Sequence, residues 1–136
     1  MKFILLLAIF AIPMFACADI KAIQGTWKAA SGSMGGAALP KELLTKMVLK
    51  ITGNHYDYDE GNGHDLGDLK LIPGKGLAAM DIIGTNGPNK GKTLLAIYRV
   101  EGDTLTIVYG FGHERPKSFE QKDTAGSLLM NYKRAH

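Results

Sequence analysis

The stretch Met47-Val48-Leu49-Lys50-Ile51-Thr52-Gly53-Asn54-His55-Tyr56-Asp57-Tyr58-Asp59 decides the fold. Met47, Leu49 and Ile51 fall on one side of an extended chain, with Lys50 and Thr52 on the other. Gly53-Asn54 is a tight-turn pair. After it Tyr56 and Tyr58 share one face, and Asp57 and Asp59 share the opposite one. A period of two on both sides of a two-residue turn is the signature of an antiparallel hairpin with one face buried.

The same period extends outward in both directions. Upstream, Ile23 and Trp27 share a face in Ile23-Gln24-Gly25-Thr26-Trp27-Lys28-Ala29. Downstream, Leu69 pairs in phase with Leu71, and Met80 with Ile82. Residues 92–100 and 104–111 are rich in β-branched and aromatic side chains, and residues 128–133 form a last run. Turn chemistry separates these runs at 60–63, 73–76, 86–89 and 101–103. One segment, Pro40-Lys41-Glu42-Leu43-Leu44-Thr45-Lys46, reads as a short helix, with Pro in the first turn where its missing N–H costs nothing. The expectation is an all-β fold: an up-and-down antiparallel barrel of about eight strands with one short helix. Closing the sheet removes the edges that short strands would otherwise expose. A barrel of that size is either filled by side chains or just wide enough for one small ligand. Periodicity does not choose between the two.

The chain has 136 residues, enough for one domain and one core. Lys2 followed by the apolar run Phe3 to Phe15 and by Ala16-Cys17-Ala18 has the form of a secretory signal peptide. The expected division is residues 1–18 as signal peptide and 19–136 as the barrel domain, exported to the periplasm or beyond the cell. Cys17 is the only cysteine, so no intrachain disulfide forms. It is discarded with the leader, or, as the alternative, it is the lipid-modified first residue of a lipoprotein. Met14-Phe15-Ala16 is a poor match to the residues that direct lipidation. The apolar run is too short to span a membrane, and no other transmembrane segment follows. With 16 Lys and Arg against 13 Asp and Glu and no basic block, nothing favours nucleic-acid binding.

Gly25-Thr26-Trp27 resembles the Gly-x-Trp signature of lipocalins and their relatives. A wider pattern strengthens it: Leu39-Pro40, Gly87-Pro88-Asn89-Lys90-Gly91-Lys92-Thr93, Gly102-Asp103-Thr104-Leu105, and Glu114-Arg115-Pro116 with Phe119. In order and spacing these resemble a family of small lipocalin-like exported bacterial domains, numerous in planctomycetes. The resemblance implies a lipocalin-like barrel in which Trp27 plugs one end and a basic residue of the last strand, Arg134 or Lys133, packs across it. That family has no established activity, so no catalytic residue carries over.

Gly87 to Thr93 misses a phosphate-binding loop by one residue and precedes a strand instead of a helix. Counted from Asp57, an EF-hand loop fails at its fifth, sixth and twelfth positions, leaving at most a looser calcium site of Asp57, Asp59 and Asp65. His55, His64, His113 and His136 lack the paired spacing of a zinc site. No serine sits in a nucleophile elbow. No metal, cofactor or catalytic residue is therefore expected. Arg115 has a planar fork suited to an anionic headgroup; its other reading is a salt bridge that orders the long loop before the last strand, with Glu114, Asp123 or a strand-end Asp as partner. Tyr56, Tyr58, Tyr98 and Tyr109, with Met80 and Met130, are candidates for a ligand cavity, since Met and aromatic side chains suit varied apolar ligands. The leading functional expectation is a non-catalytic binding protein for a small apolar or amphipathic molecule. The alternative is an envelope interaction module with a packed barrel, and third an enzyme with a His–carboxylate site. The oligomeric state is open.

Overall fold

A computed structural model describes residues 20–73, 77–112, 114–120 and 126–136. The leader, Cys17, His113 and Asp123 lie outside the described residues. A 3-10 turn, Ile20–Ile23, leads into β1 (Gly25–Met34), β2 (Ala37–Ala38), helix α1 (Lys41–Leu44), β3 (Val48–Thr52) and β4 (His55–Asp59). β5 (His64–Ile72), β6 (Ala78–Asn86), β7 (Thr93–Glu101), β8 (Thr104–Gly110) and β9 (Ser127–Arg134) follow. Every strand pairs with its neighbours antiparallel, and β1 pairs with β9, so β1 and β3 to β9 close an eight-stranded barrel. β2 is a short extra strand hooked onto the end of β1 through Ser33↔Ala38 and Met34↔Ala37. The expected all-β barrel with one short helix is what the chain forms, with this hook added.

The hairpin read from the sequence pairs in the register its pattern requires: Leu49↔Tyr58 and Ile51↔Tyr56 face inward together. β1 is longer than its apolar pattern suggests. It pairs with β3 only over Gly25 to Lys28, and with β9 to its end, past an irregularity between Ala29 and Ser31. An extra residue there bends the strand and increases its twist, which helps a sheet curl on itself. The gap this leaves between β1 and β3 is crossed by α1. Pro40 caps it in an extended conformation, and its last residue Leu44 is buried, as is Met47 just beyond it.

One end of the barrel is sealed. Trp27 and Ile23 are wholly buried, and the Trp27 indole N–H donates to the Ile23 carbonyl at 2.9 Å. The Arg134 guanidinium lies 4.2 Å from the Trp27 ring centre, a cation–π stack. It donates to the Gln24 and Ala22 carbonyls and pairs with Asp103 at 3.3 Å. Of the two basic residues considered for this place, Arg134 fills it. Gly25 has φ +118°, and a Cβ there would come within 3.2 Å of the Arg134 Nη1, so both conformation and space favour glycine.

β7 and β8 do not alternate cleanly, because both of their faces are covered. Ile97, Val108 and Leu129 form a second apolar cluster on the outside of the barrel, packed under Phe119 from the segment between β8 and β9. Arg99 stacks over Phe119 at 4.5 Å. Strands covered on both sides read as continuous apolar runs, which explains Leu94-Leu95-Ala96-Ile97 and Ile107-Val108.

Candidate functional site

The opposite end of the barrel is open. The turns 60–63 and 87–92, the β1–β2 hook and α1 surround a cavity of about 290 Å³. Its wall is mostly aliphatic and methionine side chains, running from Leu39, Leu43 and Leu94 near the rim inward to Ile51, Leu69 and Met80. The rim itself carries exposed apolar residues: Met34 is 49 % exposed, Leu43 40 % and Phe111 51 %. These rank among the most exposed large hydrophobic side chains described, and all three line the same opening.

The phase of β4 puts Tyr56 and Tyr58 into the cavity, as their alternation predicts. Gly67, opposite Tyr56, is needed for this: a Cβ there would overlap the Tyr56 ring and the Ile83 carbonyl. Tyr58, Tyr109 and Tyr132 bring their hydroxyls together. Tyr109 and Tyr132 share a hydrogen bond of 2.8 Å, and the Tyr58 hydroxyl lies beside that of Tyr132. Burial, then the Glu60 carboxylate, pushes the Tyr58 phenol up to about 12. Burial also raises the phenols of Tyr56, Tyr109 and Tyr132, so all four remain protonated donors at neutral pH.

A second polar group sits on the same wall. Asp65 is buried in β5. It accepts from the Asn89 side-chain amide at 2.7 Å, the Tyr56 hydroxyl at 3.3 Å and the Asn89 backbone N–H at 3.4 Å. Asn89 reaches it because the 87–92 turn folds back over Gly84: the Gly84 N–H donates to the Lys92 carbonyl at 2.9 Å, and the Gly91 N–H to the Gly84 carbonyl at 3.0 Å. A Cβ on Gly84 would overlap the Asn89 backbone. The stretch weighed as a phosphate-binding loop is thus a hairpin turn that closes one side of the cavity mouth. In the sequence, Asp65 stands out only as a possible calcium ligand and Asn89 only as part of the 87–93 stretch, neither of them as a cavity residue. The signal was present: extending the Leu69–Leu71 face backward by steps of two reaches Gly67 and Asp65.

Of the candidate ligand residues, Tyr56, Tyr58, Tyr109 and Met80 line the cavity. Tyr98 and Met130 do not; they are buried in the main core. Arg115 lies elsewhere. Its guanidinium pairs with Asp81 at 2.5 Å and donates to the Met80 and Ala96 carbonyls at 2.9 and 2.8 Å. Asp81 lies between the inward Met80 and Ile82, hence on the outer face, so Arg115 pins the β8–β9 segment to the outside of β6 and β7. The structural reading of Arg115 is the one the geometry matches, with Asp81 as a partner not foreseen.

The described histidines line no part of the cavity. His55 pairs with Asp68 at 2.5 Å and His64 with Asp57 at 2.6 Å, in exposed positions on β4 and β5. The hydrogen bond to Asp57 raises the His64 pKa above 6.5. Asp65 points inward while Asp57 and Asp59 point outward, so the looser calcium site does not assemble. No group of three or more His, Cys, Asp or Glu among the described residues is placed to hold a metal ion. No described helix is long and apolar enough to cross a membrane. No family model, characterised protein or solved structure matches this chain.

Proposed function

We propose that this protein is an exported, lipocalin-like, non-catalytic binding protein for a small apolar or amphipathic molecule. The observation that carries the reading is the apolar cavity of about 290 Å³, open between Leu43, Leu94 and Phe111 at one end of a barrel whose other end is plugged by Trp27. That volume sits at the lower edge of ordinary ligand pockets, about 300–1,000 Å³. At about 30 Å³ per water-sized group it holds a molecule of about ten non-hydrogen atoms. An apolar wall with a few convergent hydroxyls is the usual make-up of such a site: the wall supplies affinity and the polar groups fix orientation. Export rests on the leader-like residues 1–18.

Isothermal titration calorimetry of the mature protein with octan-1-ol, a neutral probe of this size, tests the proposal. Saturable one-to-one binding is expected, and Leu94→Trp, which fills the cavity near its mouth, should abolish it while the thermal melt stays cooperative. No saturable binding to the wild type, or equal binding to the variant, sinks the reading.

A further inference from the structure

We infer that the cavity selects a ligand whose polar end is a protonated amine, and rejects carboxylates of the same length; this rests on the binding function proposed above. Among the described residues, the only charged side chains on the cavity wall are Asp65 and Glu60, and no described Lys, Arg or His side chain lines it. Asp65 is the buried one of the two, at 6 % exposure, and it forms no ion pair with a described residue.

The chemistry of its neighbours sharpens this. All three contacts to Asp65 donate to it: the Tyr56 hydroxyl and the Asn89 side-chain and backbone N–H groups. Two of the three are long, at 3.3 and 3.4 Å, and a carboxylate has about four acceptor positions. The group is therefore held as an acceptor with capacity left over. An ammonium has three donors and no acceptor, which matches this need and supplies the missing opposite charge. A second carboxylate would bring like charge into an apolar, poorly screened space, where repulsion is far stronger than in water. The phenols of the Tyr58–Tyr109–Tyr132 cluster are neutral donors and acceptors, and do not offset a ligand's negative charge. Lipid-like acids are thus poor occupants, despite the apolar wall.

The test compares octylamine, octan-1-ol and octanoate on the mature protein at pH 7 by calorimetry. Octylamine should bind about ten- to a hundredfold more tightly than octanoate, the range for a charge-assisted hydrogen bond. Asp65→Asn should bring the two charged probes to within about threefold of each other, since the substitution removes about one charge-assisted contact. Octan-1-ol binding with octanoate equal to or tighter than octylamine would overturn the selectivity but not the binding function. Failure of all three probes would overturn both. Should Asp65→Asn fail to fold, the wild-type order of the three probes still decides the matter.

Discussion

Trp27→Ala is the perturbation whose size follows most directly from the geometry. The side chain is completely buried at the closed end of the barrel. Truncating a large buried aromatic costs about 3–5 kcal/mol, from lost transfer free energy and the cavity left behind. Two further losses add to it. The Ile23 carbonyl loses its 2.9 Å donor, worth about 1 kcal/mol. Arg134 loses the ring it stacks on at 4.2 Å, worth about 0.5–1 kcal/mol at a partly exposed site. These contributions overlap, so the expected loss is about 4–5 kcal/mol. A domain of this size has about 5–15 kcal/mol in hand, so the variant should fold but melt early. With a urea m-value of about 1.5–2 kcal/mol/M, the midpoint should fall by about 2–3 M at unchanged slope. Trp27→Phe, which keeps most of the fill but not the N–H, should fall in between. A loss under about 1 kcal/mol for Trp27→Ala would show that this end of the barrel is not closed by the indole, and would refute the plugged-barrel reasoning.

Arg115→Ala should lower stability by about 1.5–3 kcal/mol, because it leaves Asp81 and two strand carbonyls without their donor, and should leave octan-1-ol affinity unchanged. Weakened binding with an unchanged melting temperature would instead place Arg115 at the ligand. Gly84→Ala forces the 87–92 turn away from the strand and should cost about 1–3 kcal/mol in a thermal or urea melt; a neutral effect would mean that the turn is not packed there. NMR titration should give His64 a pKa above 6.5, and Asp57→Asn should return it toward that value. Since the folded pKa is raised, the pair stabilises fully below pH 6.5, and the benefit fades as pH rises through the folded value. A melting-temperature difference between wild type and Asp57→Asn that grows with pH would contradict this sign.

The barrel was legible because its strands bury one face. The alternation through Met47–Asp59, the turn residues at 53–54 and 101–103, and Pro40 before Lys41-Glu42-Leu43-Leu44 are local signals. They describe which element forms and which way each residue points. From that pattern alone came the strand number, the inward tyrosines of β4 and the short helix. The resemblance of Gly25-Thr26-Trp27 pointed to the plug, and to Arg134 or Lys133 across it. What lies far apart in sequence was not legible. Asp81 as the partner of Arg115, Phe119 covering Ile97 and Val108, and Asn89 reaching Asp65 all depend on how loops return to the sheet. So does the cavity. Alternation places a side chain inside a barrel, but whether the inside fills depends on the volumes of side chains meeting from all strands at once. Only closure of β1 on β9, the bend in β1 and the helix across the gap set that space. A period of two thus determined the class of fold, because burial on one face is a property of each strand alone. Tertiary structure decided the pocket and the placement of the buried Asp65 on its wall, because both are sums over the whole barrel.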